Sequence, residues 1–360
     1  MKFAPASALV LTLLTLIAPS AAVRAEEGAR TLRLIGDAPA AKSGAPRRFV
    51  LDLRIKPGDG EFQSDLAGWF AGLDDTPPYG AVEGSCVEKH CALTVQVEDG
   101  KLALAGDFLD AAGAVQARLT VKDGDDKVTA QGAVTLRPLA GPIAGVGALA
   151  DQAAVDAAEL EQLLTWNQQT GPTGQDAGDP PSDSQRETLA DWQKAKGRTG
   201  TGLILVSDLA ELRAGAAAAR KAAGWTELGD KAHGWSAGYP AAVLSRPSRA
   251  GAEQRFASAD GKALLAITLD APMSSADFDA LVERETADHP DRESVSYSRV
   301  NADMDMRYES KGVVHVLAWH SRDGVMARLS YSYPTAAADT YSPYDTIIPS
   351  SFKVTDEAKR

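Results

Sequence analysis

The sequence predicts an α+β chain of several domains: an N-terminal antiparallel β-sandwich, a central small helical bundle, and a C-terminal antiparallel sheet with helices. Three observations favour this fold class. Residues 26–140 alternate apolar and polar residues between turn signals, residues 153–226 repeat apolar residues at helical spacing, and residues 234–360 combine both patterns. Residues 141–152 include the Gly-rich run GPIAGVG and are predicted to form a linker.

The first 25 residues have the organisation of a secretory signal peptide. Lys2 precedes an apolar run from Ala6 to Ile17, and Val23-Arg24-Ala25 fits the small-x-small pattern for cleavage before Glu26. The apolar run is too short to span a bilayer comfortably. We therefore expect an exported protein that lies in the periplasm of a cell with two membranes.

The charge balance excludes two classes of partner. The chain carries 37 Lys and Arg residues against 49 Asp and Glu residues, a formal net charge of −12 at pH 7. Nucleic acids and anionic membranes are bound through clustered basic side chains. We expect neither as the partner, and no later segment has the unbroken apolar length needed for membrane insertion.

The two cysteines are Cys86 and Cys91, in the sequence SCVEKHC. In an oxidising compartment this spacing favours a small-loop disulfide at the end of a strand. The alternative is a metal site in which His90 joins both thiolates. Such a site needs a fourth ligand that the pattern does not supply, so no metal and no cofactor is predicted.

The N-terminal strands are predicted from alternation and from turn dipeptides. Asp99-Gly100 and Asp123-Gly124 separate apolar runs and have the composition of hairpin turns. An antiparallel sheet follows, and a β-sandwich is the expected arrangement. The segment from Phe62 to Phe70 fits a short helix or an edge strand, and the pattern does not decide between them.

Two helices are predicted on either side of a Gly-rich link. Ser184 is expected to cap the first, with Glu187 closing a capping box, and Gly197 to end it. Ser207 is expected to cap the second, whose apolar stripe ends at Gly224.

In the C-terminal region, the strand pattern turns at three dipeptides and is interrupted by a helix capped at Ser274 or Ser275. The dipeptides are Asp260-Gly261, Lys311-Gly312 and Asp323-Gly324.

The helical region carries a pattern in fixed order: Trp192-Gln193, Gly197, Thr199-Gly200, and Ser207 before a Leu-rich helix. On these residues, positions 155–213 resemble a peptidoglycan-binding domain of the three-helix type. The resemblance implies a wall-binding role, with Arg198 standing where the family has an apolar residue.

The aromatic and Leu residues of this pattern have two interpretations. Trp192 either contacts the ligand or belongs, with the Leu residues, to a packing core. If glycan or stem peptide is bound, Gln193, Lys194 and Arg198 are the polar side chains expected to hydrogen-bond it.

The C-terminal region carries Tyr239-Pro240 at its entry, a turn at Asp260-Gly261, a helix with three further strands, and Pro349-Ser350-Ser351-Phe352 at its exit. This order resembles the Mog1/PsbP-like α/β/α sandwich. Members of that group are usually binding or assembly modules, so the resemblance implies interaction rather than catalysis.

A possible nucleophile is Ser236, because Gly234-Trp235-Ser236-Ala237-Gly238 matches G-x-S-x-G. The nucleophile elbow needs a buried strand before the serine and a helix directly after it, and neither neighbouring segment has that pattern. As a triad, the motif would need an acid such as Asp288 and a base among His289, His315 and His320.

The sequence therefore predicts an exported, non-enzymatic envelope protein that binds peptidoglycan or organises periplasmic partners. Two alternatives stay open: a serine hydrolase that uses Ser236, and a protein-interaction scaffold without glycan affinity.

Overall fold

The computed structural model describes most of the chain beyond the predicted leader. The described residues are 30–38, 47–58, 63–73, 79–98, 100–107, 109, 113–151, 155–168, 181–230, 234–250, 253–271, 273–300, 302–322 and 325–354. The predicted signal peptide, Asp99 and the Asp323-Gly324 turn lie outside these ranges. None of the described helices combines the length and the apolar character needed to cross a membrane.

Eight antiparallel strands form a closed barrel in the N-terminal part. They are β1 (Arg30–Ala38), β2 (Arg47–Pro57), β3 (Gln63–Gly72), β4 (Tyr79–Val87), β5 (His90–Val97), β6 (Gly100–Gly106), β7 (Val115–Asp123) and β8 (Val128–Pro138). Each strand pairs with the next, and β1 pairs with β8 to close the barrel. The predicted β-sandwich is therefore wrong. Alternation and hairpin turns are the same in both architectures, and only the pairing of the first strand with the last distinguishes them.

The barrel interior is a continuous apolar core. Phe49 stacks on Phe70 there, with 5.2 Å between ring centroids. Cys86 and Cys91 are direct cross-strand partners on β4 and β5 and form a disulfide, which confirms the predicted pairing. The segment that fitted either a helix or a strand lies largely within β3.

Three helices follow the barrel: α1 (Ala157–Trp166), α2 (Asp183–Ala195) and α3 (Val206–Ala223). The predicted central helical bundle is wrong, because these helices do not close a core by themselves. Their apolar cluster also contains Ile347, with Tyr344 packed against it, and both residues come from the C-terminal region.

The helix starts differ from the sequence prediction. Ser182, not Ser184, caps α2, and its capping box is closed by Gln185. The α3 helix begins after Leu205 without a side-chain cap, so the predicted Ser207 cap is also wrong. The predicted helix end at Gly224 is confirmed, since this residue is left-handed with φ 58°.

The C-terminal region contains two antiparallel sheets. Its further strands are β9 (Trp225–Asp230), β10 (Trp235–Pro240), β11 (Arg246–Ala250), β12 (Glu253–Ala257), β13 (Leu264–Asp270), β14 (Glu293–Val300), β15 (Asp303–Ser310), β16 (Val313–Arg322), β17 (Val325–Pro334) and β18 (Lys353–Val354). The larger sheet has the order β11-β12-β13-β17-β16-β15-β14, and the smaller has the order β18-β10-β9. With the barrel, these strands make the described chain mostly β, so the predicted α+β class is wrong.

Helices cover both faces of the seven-stranded sheet. They are α4 (Ser275–Thr286), α5 (Ala338–Tyr341) and α6 (Tyr344–Ser351). The α4 helix is capped by Ser274 and packs on one face through Phe278. The opposite face packs against α6 and the small sheet in a separate core. The α6 helix is thus held between the large sheet and α1, and this placement creates the site described below.

A row of polar and aromatic side chains crosses the outside of the barrel. Arg33, Asp52 and Trp69 are cross-strand neighbours on β1, β2 and β3. Arg33 Nε donates to Asp52 Oδ1 at 2.9 Å, and Trp69 Nε1 donates to the carbonyl of Thr201 at 2.7 Å. Arg186 of α2 places a guanidinium nitrogen 3.7 Å from Asp52 Oδ2. Asp52 and Arg186 are both buried. The helical layer, formed by α1, α2 and α3, is therefore joined to the barrel through a shielded ion pair.

The segment after α2 completes this contact. Gly202 has φ 64°, and a Cβ there would lie 2.8 Å from Trp69 Cζ2. Only glycine combines the left-handed backbone with such close approach. Leu203 and Leu205 pack beside Trp69 and Val50 in a small apolar cluster.

Replacing Asp52 by alanine should destabilise the protein strongly, because the buried Arg186 guanidinium would lose its counter-charge. We expect Asp52→Ala to lower the free energy of unfolding by about 3–5 kcal/mol, the usual cost of breaking a buried pair. Urea denaturation measures this change. The control is Asp37→Ala, whose exposed ion pairs with Arg48 and Arg137 are long, and which should cost less than about 1 kcal/mol. Equal losses in both variants would contradict a stabilising role for the buried pair.

Candidate functional site

The candidate site is a polar groove between α1 and the C-terminal region. Two adjacent cavities, of about 370 and 300 Å³, form it. They share Glu161 and Gln162 of α1 and Thr346 and Ser350 of α6. A concave site at a junction of structural units, with few polar groups converging on it, is a common setting for ligand binding.

The first cavity lies between α1, α6 and the small sheet. Its charged lining is mixed, with Glu227 on β9, Arg220 on α3 and Lys353 on β18. Trp166 and Trp225 form its apolar end, where the rings meet edge to face with centroids 5.0 Å apart. This cavity therefore offers hydrogen-bonding groups of both kinds beside an aromatic surface.

Ser236, the serine of the G-x-S-x-G match, also lines the first cavity. It lies inside β10, where it pairs with Gly229 on one side and Lys353 on the other. No helix follows β10, because the chain turns after Pro240 and continues into β11. The strand–turn–helix geometry that exposes a nucleophilic serine is thus not present around Ser236.

The second cavity lies between α1, α6 and the edge of the large sheet. Its carboxylates are Asp305 on β15 and Asp345 at the start of α6. Asp345 Oδ2 accepts from Arg307 Nε at 3.0 Å and from the Tyr333 hydroxyl at 2.7 Å. The other oxygen, Oδ1, is shielded from solvent and has no hydrogen-bond partner among the described residues.

Asp305 also has a carboxylate oxygen without a hydrogen-bond partner among the described residues. Its Oδ1 is shielded and has no hydrogen-bond partner in the described part of the chain. The nearest cationic candidate is His320 Nε2, 4.0 Å away and beyond hydrogen-bonding distance. The Asp305 side chain as a whole is 46% exposed, whereas the Asp345 side chain is 12% exposed. The cavity thus presents one shielded oxygen from each residue as an acceptor for a ligand.

Burial changes the acidity of both carboxyl groups. Burial, with a smaller contribution from the neighbouring charge of Asp303, raises the pKa of Asp305 from 3.8 to about 6. Burial also raises the pKa of Asp345, although the hydrogen bonds from Tyr333 and Arg307 oppose the change. Perturbed carboxyl groups of this kind are frequent at functional sites.

The raised pKa of Asp305 predicts a pH dependence of stability. Between about pH 4 and pH 6 the folded protein binds more protons than the unfolded chain, so stability falls as the pH rises through this window. Asp305→Asn should flatten this part of the profile and raise the melting temperature at pH 7. Circular dichroism melts at pH 4, 5, 6 and 7 test this, with Asp270→Asn on β13 as a control that should keep the wild-type slope. A wild-type slope in Asp305→Asn would contradict the assignment.

Gln193 and Trp192, two of the predicted ligand contacts, are buried in the structure. Gln193 Nε2 donates to Leu203 O at 3.0 Å and to Asp208 Oδ2 at 2.7 Å. Its Oε1 accepts from the backbone N–H groups of Thr201 and Gly202, at 2.8 and 3.0 Å. The amide thus fixes the segment that covers Trp69 of the barrel.

Lys194 and Arg198, the other two predicted contacts, lie nearer the surface and are also engaged. Lys194 Nζ is 3.2 Å from the Tyr79 hydroxyl and 3.0 Å from Asp191 Oδ1. Arg198 donates to Asp208 and Glu211, and its guanidinium lies 4.6 Å from the centroid of the Trp192 ring. All four residues lie outside the groove, and their role in ligand binding stays a prediction.

Gln193→Leu tests the structural role of the buried amide. The substitution removes the donors to Leu203 and Asp208 and the acceptor for two backbone N–H groups, and each unpaired buried group costs about 1–3 kcal/mol. We expect a loss of about 3 kcal/mol or more in unfolding free energy by urea denaturation. The exposed Gln116→Leu is the control, with a change within about 0.5 kcal/mol. A wild-type midpoint for Gln193→Leu would show that the network is dispensable.

The alternative metal site at the cysteines is not formed. Both sulfurs are joined in the disulfide, and His90 Nδ1 lies 2.7 Å from Asp107 Oδ1 instead. Within the described ranges, no three His, Cys, Asp or Glu residues are grouped in a way that could hold a metal ion.

Comparison with known proteins gives little further information. No protein-family model matches the chain, and no curated protein is significantly similar to it. The chain is similar to the solution structure of cyanobacterial PsbP (CyanoP) from Synechocystis sp. PCC 6803, with 14% sequence identity and a TM-score of 0.26. The match covers 36% of this chain and 92% of that chain. The PsbP-like resemblance thus has a weak structural neighbour, which establishes no common function, and the peptidoglycan-binding resemblance stays a prediction.

Sequence reasoning missed most of the groove. Asp305 alternates with Met304 and Met306 on a strand, and this pattern indicates only a half-exposed strand face. Asp345 lies in a helix whose contact with α1 joins residues almost 200 positions apart in sequence. The only local signal was the repeat of two acidic residues, Asp303 and Asp305, in one predicted strand.

Proposed function

We propose that this protein is an exported, non-enzymatic binding protein of the cell envelope, which holds peptidoglycan or organises periplasmic partners through the groove. The observation that carries the proposal is the pair of shielded, unpartnered carboxylate oxygens on Asp305 and Asp345. Both residues line one cavity, and neither oxygen has a hydrogen-bond donor among the described residues.

The chemistry of the groove selects ligands that are rich in donors. Hydroxyl, amide and ammonium groups satisfy carboxylate oxygens, and wall glycans, stem peptides and polypeptides carry such groups. The aromatic end formed by Trp166 and Trp225 adds a surface for apolar parts of the same ligand. The second cavity thus suits a peptide or a sugar better than an anionic ligand.

Two features support the envelope as the location. The disulfide between Cys86 and Cys91 is of the kind that persists in oxidising compartments such as the periplasm. The signal peptide predicted in residues 1–25 would direct export to the same compartment.

The serine hydrolase alternative has less support. Ser236 lies within a strand, and the residues that line its cavity include neither Asp288 nor His289, His315 or His320. The chemistry separates the alternatives directly, since ester hydrolysis that is lost in Ser236→Ala would favour the enzyme over the binding protein.

The binding proposal is tested by cross-linking from inside the groove. A photoreactive amino acid at Ser350, which is exposed and lines both cavities, should cross-link to purified sacculi or to a periplasmic protein. The same amino acid at Gln116, exposed on the barrel, is the control and should give neither product. Co-sedimentation of the unmodified protein with sacculi then separates wall binding from protein binding.

Point variants are better suited to this test than deletion of the helices. Removing residues 155–224 would uncover Trp69 and the core shared with Ile347, so loss of binding would report loss of folding. Asp345→Asn keeps the size of the side chain and should weaken the Ser350 cross-link. No product at Ser350 with either sacculi or periplasmic extract, in protein with a wild-type melting curve, would overturn the proposal.

A further inference from the structure

The second cavity runs along a free edge of the seven-stranded sheet. β14 is the last strand in the sheet order, and among the described strands only β15 pairs with it. Free edges expose backbone donors and acceptors to any additional strand. The outer edge of β14 is therefore a place where the sheet can be extended.

The two edges of this sheet differ in their protection. β11, at the opposite edge, contains Pro247 between Arg246 and Arg249, and these residue types hinder the addition of a strand. β14 has the sequence ESVSYSRV, which lacks proline; its charged residues, Glu293 and Arg299, lie near its two ends, and its central residues are exposed. A register shift is confined to its beginning, between Glu293 and Ser296, and the pairing from Ser296 onward is regular. An approaching strand would thus meet an edge that is regular and uncharged over residues 296–298.

The two faces of β14 present different chemistry. Tyr297 pairs with Met306, whose side chain is buried under α4, so Tyr297 belongs to that face and is 58% exposed. Ser298 pairs with Asp305, and the two share the face that borders the second cavity. A strand added beside β14 would continue both rows, with apolar side chains beside Tyr297 and polar side chains beside Ser298.

The row that contains Ser298 and Asp305 specifies the charge of the added residue. The next position in this row would face the cavity, where Asp305 Oδ1 and Asp345 Oδ1 have no donor from the described residues. Ala158, Glu161 and Gln162 of α1 form the opposite wall. Arg307 donates to Oδ2 of Asp345 and leaves Oδ1 of that residue without a donor among the described residues. Together with Asp305 Oδ1, this oxygen is an acceptor for one more cation.

We propose that an extended peptide segment of a partner protein adds as a strand to the outer edge of β14, with a lysine or arginine side chain in the cavity at Asp305. This inference rests on the proposed function, because it names the occupant of the same groove. Main-chain hydrogen bonds hold the segment, and the basic side chain sets its register. The favoured segment alternates apolar residues with polar or basic ones.

A synthetic peptide tests the pattern directly. The probe is the fluorescein-labelled nonapeptide Ser-Val-Thr-Val-Lys-Val-Thr-Val-Ser, which places its lysine on the polar face and its valines on the other. Fluorescence polarisation with the full-length protein measures binding. Replacing the lysine by norleucine, or Asp305 by asparagine, should weaken binding about tenfold, and the two changes together should add little to either alone. N-methylation of the alternate peptide nitrogens that face β14 should abolish binding, because it removes the main-chain donors to the β14 carbonyl groups.

Location is measured by amide hydrogen exchange of the protein with and without the peptide. The expected result is protection of residues 296–298 on β14 and no change on β11. Asp270→Asn, on a strand away from the groove, is the matched control and should bind the peptide as the wild type does. The peptide should bind without changing the size of the protein in solution.

Several results would overturn the inference. They are no binding up to about 1 mM peptide, equal binding of the lysine and norleucine peptides, and protection at β11 instead of β14. A dimer that dissociates in Tyr297→Lys would also overturn it and assign the edge to a second copy of the chain. If the peptide fails but Ser350 still cross-links to sacculi or to a periplasmic protein, the proposed function stands and only the strand-addition inference falls.

Discussion

The structure depends on how the outside of the barrel is covered. Trp69 and Asp52 point outward, and burying an indole N–H or a carboxylate without a partner costs free energy. Arg186 and the carbonyl of Thr201 supply those partners, so the second helix and the segment after it are fixed to β2 and β3. The buried amide of Gln193 then holds that segment in shape. The need of Trp69 and Asp52 for polar partners thereby determines where the helical layer lies.

The position of the groove follows from a second shared core. The helices α1 and α3 pack with Ile347 of α6 and with Trp225 of β9, so the helical layer and the C-terminal sheets cannot be separated without exposing apolar surface. The groove is the part of this junction that side chains do not fill. Its walls come from elements that pack into apolar cores on both sides, and this favours a preformed binding site over one that assembles around its ligand.

The sequence predicted local features better than it predicted architecture. The disulfide, the left-handed Gly224 and the Ser274 cap depend on a few neighbouring residues, and each is in the structure. The closed barrel depends on pairing Asp37 with Thr135, almost 100 positions apart, and no local pattern carries that information. The groove was missed for the same reason. Trp192 and Gln193 show the opposite difficulty, because a motif typical of a binding domain also suits residues that are buried to hold a fold together.

The barrel also bears on the order in which the chain can fold. Its eight strands end at Pro138, whereas the residues that cover Trp69 lie beyond position 200. A ribosome releases the N-terminal part first, so the barrel can close while its outer tryptophan and the Asp52 carboxylate still face water. The half-finished protein therefore presents an apolar patch for the time needed to make roughly 70 more residues, several seconds at ordinary elongation rates. That interval is when this chain is most exposed to aggregation, and when a chaperone would be most useful to it.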